Sequence, residues 1–430
     1  MRSKKILSAA ATLLALGMTA ACGGDGGSGS DGAEASSGPI KVWLSNNPEE
    51  IAWGKAMVKE WNAANSDQKI TAQEIPAGKT SEEVIGAAIT AGNAPCLVFN
   101  TSPAAVPQFQ KQGGLVALDG FDGATEYIEE RSGSSAEQYK SPDGSYYQIP
   151  WKQNPVMIFY NKDLFKKAGL DPENPPLKTY DEFLAASKKI VDSGAAPSAI
   201  APSPTSEFFQ SWFDFYPLYA AESGGKQTIE DGKATFNDEA GKDVWNFWAE
   251  MFEKGYSPKE KYEGDSFLDK KAAMAVVGPW AIAVYGEDVN WGVVPVPTKD
   301  GMEPSEVQTF SDAKNVSVYS ACENQKTAWD VLKFATSEEQ DGKLLEMTGQ
   351  MPIREDLPTV YSDYFSEHPE YQLFADQASR TVEVPNVPNS VEIWQEFRNA
   401  YSASVIFGKT SVDEGIAQAA EKADELAGQS

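Results

Sequence analysis

From residue 40 onward, short apolar runs of strand type alternate with stretches in which apolar residues recur every three or four positions. Ile40, Val42 and Leu44 predict a strand over 40–44, and Asn47 then caps a helix with Pro48 at its first position, where the missing N–H costs nothing. Trp53, Met57 and Trp61 follow at i, i+4 and i+8, so they form the buried stripe of that helix. A second strand is predicted over 70–75, a helix over 81–91 with Val84, Ile85, Ala88 and Ile89 turned inward, and a third strand over 97–99. A β-α-β-α-β order of this kind implies a parallel sheet with helices on both faces.

Between about 100 and 150 the periodicity loosens into turns, and an apolar run over 156–160 then opens a new unit. Thr179 with Glu182 three residues on has the form of a capping box, and Phe183, Leu184, Ile190 and Val191 face inward behind it. Helices are predicted over 207–221 and 238–254; in the second, Val244, Phe247, Trp248, Met251 and Phe252 share one face, which makes Trp248 structural. Short strands over 273–277, 291–296 and 316–319 are followed by a helix over 326–335 and a helical end from about Ser390, broken near Gly408. No internal repeat is present, and the chain is long enough for two domains.

The first residues obey a different pattern. Arg2, Lys4 and Lys5 precede an apolar stretch over 6–21, and Met18-Thr19-Ala20-Ala21-Cys22 reads as a lipoprotein cleavage site: a signal peptide over 1–21 and a lipid anchor on Cys22. The stretch is shorter than the roughly 20 residues a membrane span requires. Residues 22–38 are mostly Gly, Ser, Ala, Asp and Glu, a flexible linker by composition. The expected location is the extracellular face of the cell membrane.

A formal charge of −27 repels nucleic acid and argues for solubility in an exported chain. His368 is the single histidine, which leaves His-based triads and multi-His metal sites without material, and no phosphate-binding loop, dinucleotide fingerprint or nucleophile elbow occurs. We therefore expect no enzyme, no cofactor and no metal; among 63 acidic residues a glycosidase-type carboxylate pair is not singled out. With Cys22 assigned to lipid, Cys96 and Cys322 are an even pair, equally readable as a disulfide or as two separate buried thiols.

Eleven Trp, 16 Tyr and 20 Phe supply binding chemistry, since sugar C–H faces pack on aromatic planes while hydroxyls seek Asn, Asp, Gln, Lys or Arg. Trp151, Trp212, Trp280 and Trp394 each lie near such polar residues. Three segments carry a resemblance: Ile158-Phe159-Tyr160-Asn161-Lys162-Asp163-Leu164-Phe165; Phe267 through Lys271 and Met274 to Gly278-Pro279-Trp280; and Val384-Pro385-Asn386-Val387-Pro388 leading to Trp394, with Ser411 to Glu414 after it. In this order and spacing the chain resembles the family 1, maltodextrin-type extracellular solute-binding proteins of sugar-importing ABC transporters, from Ile40 to about Ala427. It departs at Lys270, where the family commonly has Gly, and at Cys96, where it commonly has Asp.

The resemblance implies an α/β, two-lobed periplasmic-binding-protein fold of type II, each lobe a mainly parallel sheet flanked by helices, closing by hinge motion around a ligand. It implies an N-terminal lobe of 40–152 plus 312–357 and a C-terminal lobe of 153–311 plus 358–430. It sets the strand at 316–319 antiparallel to that at 97–99, and so favours a Cys96–Cys322 disulfide. Carried over residue by residue, it makes Trp280 and Trp394 the sugar-stacking aromatics, Asn47, Asn100 and Asn154 hydroxyl partners, and Trp212, Phe213 and Asp214 a cleft-lining helix start, with Asp312 at the return hinge. The implied function is carbohydrate binding, of an oligosaccharide, by a lipid-anchored monomer that serves ABC permease subunits. The alternatives are the same fold around a polyamine or peptide, and a secreted glycan hydrolase.

Overall fold

The computed structural model describes residues 36–78, 80–286 and 288–428. The segment expected to be a signal peptide, Cys22 and most of the expected linker lie outside the described residues. Among these, no helix is long and apolar enough to cross a membrane.

The first sheet starts as the periodicity predicts. Strand β1 (Ile40–Leu44) pairs in parallel with β2 (Ile70–Glu74) and with β3 (Leu97–Thr101). Between them run the helices Pro48–Ala64 and Ser81–Thr90, capped by the Asn47 and Thr80 side chains. Trp53 and Met57 are buried, and Trp53 packs with Phe99 and Trp151 at ring-centroid distances of 5.6 and 5.3 Å. Instead of turns alone, the next segment holds the helices Val106–Lys111 and Ala124–Ser132 and then β4 (Ile149–Gln153). Their signal is weak because the first is a single short turn or two and the second owes its place to Arg131, which sequence periodicity does not mark. That buried guanidinium donates to Asp341 at 2.9 Å and to the Trp151 carbonyl at 3.0 Å, while Arg354 binds the same carboxylate at 3.0 Å.

Three residues beyond β4 the chain enters a second sheet. Strand β5 (Met157–Asn161) leads through the capping-box helix Tyr180–Asp192 to β6 (Ser198–Ile200). The helix expected over 207–221 is split: a 3₁₀ turn over Phe208–Trp212 ends at Asp214, whose carboxylate caps a fresh helix, Phe215–Glu222. A small hairpin of β7 (Ile229–Glu230) and β8 (Lys233–Ala234) precedes the helix Glu239–Glu253. Strands β9 (Ala272–Val277) and β10 (Trp291–Val294) complete the order β10-β5-β9-β6.

The chain then passes β11 (Thr309–Phe310) and returns to the first sheet as β12 (Lys314–Val318), antiparallel to both β3 and β4. After β13 (Met351–Pro352) it leaves again, and β14 (Thr381–Val382) pairs in parallel with β11. The first sheet thus reads β13-β4-β12-β3-β1-β2. Both sheets are mixed, which corrects the mainly parallel expectation: β12 arrives from the second sheet rather than over a covering helix, so no right-handed crossover dictates its direction, β13 meets β4 antiparallel, and β5 meets β9 and β10 antiparallel. The two-lobed architecture stands.

Cys96 and Cys322 form a disulfide with 4.6 Å between their Cα atoms, at the end of the β3/β12 pairing where Val318 faces Leu97. It links positions 226 apart in sequence. Replacing both cysteines by serine is expected to lower the unfolding free energy, by up to about 5 kcal/mol in the chain-entropy picture; urea denaturation curves that coincide for both proteins refute this. Lys270 adopts φ +58°, the left-handed region natural to glycine, which accounts for glycine being the common residue there in the resembled family. Lys270→Gly at this exposed turn is expected to raise stability by up to about 1 kcal/mol, and a lowered midpoint in the same assay contradicts it.

Candidate functional site

Ligands of open α/β sheets sit beyond the carboxyl ends of the strands, and here those ends meet the second lobe. Asn46 follows β1, and Asn100, near the end of β3, takes φ +68° and donates from its side-chain amide to the Asn46 Oδ1 at 3.2 Å. Across from them stand the aromatic side chains of the Phe208–Trp212 turn and Phe213, and Asp312 and Lys314 enter from the return crossing. These groups enclose a cavity of about 320 Å³. Phe213 is also a wall of a second cavity, of about 460 Å³, which reaches Trp280, Gln210 and Ser203. The Phe213 and Trp280 rings meet edge to face at 6.2 Å.

Of the residues expected at the site, Asn100, Trp212, Phe213 and Asp312 line the first cavity, and Phe213 and Trp280 the second. Trp280 is half-buried at the start of the helix Trp280–Tyr285, so part of its ring is open. Trp212 is only 4% exposed and presents little more than an edge.

Four others are placed differently. Trp394 is 2% exposed and packed against Trp212, Tyr216 and Phe397, behind the wall rather than on it. Asp214 is buried and pairs with Arg398 at 2.7 Å while accepting from the Phe215 N–H. Burial pushes its carboxyl up, against the pull of Arg398. Arg398 in turn donates to the Ser203 and Thr205 carbonyls at 2.7 and 2.9 Å, so this pair positions the loop beside the second cavity. Asn47 has its side-chain oxygen occupied by the Glu50 N–H, at 3.0 Å. Asn154 is buried and donates to the Asp312 carbonyl and to Gln350, both at 3.2 Å, a tie between hinge segments.

Sequence reasoning missed Asn46, Lys314 and Glu82, all of which line the first cavity. Asn46 was findable: a cap consumes one Asn of the pair and leaves its neighbour free. Lys314 begins a strand whose remaining residues are buried, and its pairing with Asp312 at 2.5 Å depends on the crossing geometry. Among the described residues no cluster of His, Cys, Asp and Glu could hold a metal ion.

The model of the bacterial extracellular solute-binding protein family matches residues 56–373. The chain belongs to this family. As a solute-binding protein it is 24% identical over 377 residues to the maltotriose-binding protein of Pyrococcus abyssi, spanning 84% of this chain and 76% of that one. It is equally similar, at 24% over 408 residues, to the sn-glycerol-3-phosphate-binding periplasmic protein of Rhizobium meliloti, with 85% and 92% covered. The solved cyclic α-maltosyl-1,6-maltose binding protein of Arthrobacter globiformis shares the fold, with a TM-score of 0.77 at 22% identity, covering 92% of this chain and 100% of its own.

Close to Asp312 and Lys314, this solute-binding protein buries one further acid. Glu383 follows β14, is 2% exposed, accepts from the Tyr139 hydroxyl at 3.4 Å, and accepts from the Val384 N–H at 2.7 Å. Its carbonyl accepts from the Tyr216 hydroxyl at 2.7 Å. Burial, only partly offset by the Val384 N–H and Lys314, pushes the carboxyl up to about 8. Below its ordinary value of 4.5 both folded and unfolded chains hold the proton; between 4.5 and about 8 only the folded chain does. Glu383 therefore costs stability progressively as pH rises through that window, and fully above it. Glu383→Gln is expected to be more stable than the parent at pH 8 and to lose this part of the slope between pH 5 and 8; parallel pH profiles of the melting temperature would falsify the assignment.

Proposed function

We propose that this solute-binding protein is the carbohydrate receptor of an ABC importer, taking an oligosaccharide into the cleft and handing it to membrane permease subunits. The observation that carries the reading is the pairing of surfaces across the cleft. Asn46, Asn100, Asp312 and Lys314 offer donors and acceptors for hydroxyls on one side, and Phe213 and Trp280 offer aromatic faces on the other. Two adjoining cavities that share Phe213 suit a ligand longer than one ring. Sugar-binding relatives support the same reading, among them the maltotriose-binding protein.

In this reading the lobes are 40–152 with 312–357 and 153–311 with 358–430. They close as rigid bodies about the crossings near Asn154 and Asp312. A lipid on Cys22 and the Gly/Ser-rich segment behind it keep a monomeric receptor beside its permease at high effective concentration. Members of the family bind solutes rather than transform them.

A panel of neutral oligosaccharides, maltotriose included, is expected to contain a ligand that changes the intrinsic Trp fluorescence. Trp280→Ala should weaken that ligand at least ~10-fold, about 1.4 kcal/mol. Trp394→Ala should act first on the fold, lowering stability by about 3–5 kcal/mol. Silence across the panel, or retention of full affinity by Trp280→Ala, counts against the carbohydrate reading; release of shortened sugars on long incubation would favour a hydrolase.

A further inference from the structure

Among the described residues that line the two cavities, Lys314 is the only Lys or Arg. Its side chain is 19% exposed, and its ammonium pairs with Asp312 at 2.5 Å. Burial is the strongest single influence on it and disfavours the charge. Asp312, Glu82 and Glu383 together outweigh burial and hold the Lys314 proton more tightly than usual. One cation is thus set on a cavity wall with two carboxylates, Asp312 and Glu82.

A second anion-attracting feature at the same cavity is treated alike. The helix Ser81–Thr90 begins there, capped by Thr80, and a helix start carries partial positive charge. Its first turn holds Glu82 and Glu83, and Glu82 is itself a cavity wall. Each positive element that faces the cavity therefore has a carboxylate from the chain beside it.

Resting on the reading of the cleft as a carbohydrate site, we propose that Asp312 and Glu82 mask Lys314 and make a charge filter, admitting neutral polyols and rejecting phosphorylated ones. A phosphate entering the cavity meets these carboxylates at short range in a setting poorer in water than the surface, where like charges repel most strongly. A neutral hydroxyl ligand meets the same Lys314–Asp312 pair as one donor and one acceptor. The lining residues alone separate the two classes, whereas relatives of equal identity do not.

The filter is tested on the full chain with sn-glycerol 3-phosphate as the probe, by phosphorus NMR line broadening and calorimetry, beside the neutral sugar panel. The parent should show no binding of the phosphate at millimolar concentration. Asp312→Asn with Glu82→Gln should gain affinity for it by at least ~10-fold over the parent's limit, about 1.4 kcal/mol, and Lys314→Met added to that pair should abolish the gain. Asp312→Asn alone, expected to gain less, serves if the double variant fails to fold by circular dichroism. Phosphate binding by the parent overturns the proposal. So does a folded variant with no gain, or a gain that survives Lys314→Met. A parent silent on every neutral sugar, with the phosphate gain present, removes the carbohydrate reading and upholds the masking of Lys314.

Discussion

Backbone hydrogen bonds between the crossing segments tie the two sheets together, and the positions of Asp312 and Lys314 follow from them. The Val156 N–H donates to the Phe310 carbonyl at 3.0 Å, the Asp312 N–H to the Asn154 carbonyl at 3.1 Å, and the Ser311 N–H to the Val382 carbonyl at 3.0 Å. Three separate passages of chain are thereby laid side by side, two of them within a few residues of where the chain passes between the sheets. A short, paired crossing can absorb a rotation in a few dihedral angles while the sheets on either side stay intact, which is what hinge closure requires. Asp312 is part of a crossing, and it and Lys314 line the first cavity from the segment that returns to the first sheet.

Around this junction the fold buries charge in specified pairs. Lys152 in β4 reaches both Glu50 and Gln350, Asp341 joins Arg131 to Arg354, and Arg398 holds Asp214. Such pairs are poor sources of net stability, since removing both charges from water costs about as much as their attraction returns. Their effect here is geometric. Gln350 connects the Lys152 pair to Asn154 at the hinge, and Arg398 fixes carbonyls at Ser203 and Thr205, beside the second cavity. A polar network so placed gives each wall one position.

These pairings also mark the limit of what could be read from the chain. Strands and caps were legible because they are local: the Asn47 cap, the Thr179 capping box and the Trp53–Met57–Trp61 stripe each need fewer than a dozen residues. Trp280 and Trp394 looked alike as aromatic residues near polar ones, and the difference between them is made by distant neighbours. Gly278 keeps space beside the Trp280 ring, where a Cβ would approach it to 2.0 Å, whereas Tyr216 and Phe397 close around Trp394. Asp214 resembled a cleft acid because Arg398, its partner, lies 184 positions away. The lipid attachment expected at Cys22 falls outside the described residues and rests on sequence alone.

The disulfide gains its meaning from the same strand pair. Cys96 precedes β3 and Cys322 follows β12, so the bond closes the end of the ladder remote from the cleft. At the other end, Asn315 lies opposite Thr101, next to Asn100 and Lys314, and the register shifts between Asn315 and Ser317. A bulge re-aims side chains and sharpens local twist, but it also gives a ladder a way to slip by one residue. A slip of β12 there would turn Lys314 away from the cavity. The covalent bond fixes the register on one side of the bulge, and the crossing hydrogen bonds of Asp312 fix it on the other. The irregularity is left to orient the polar lining of the first cavity without freedom to move it.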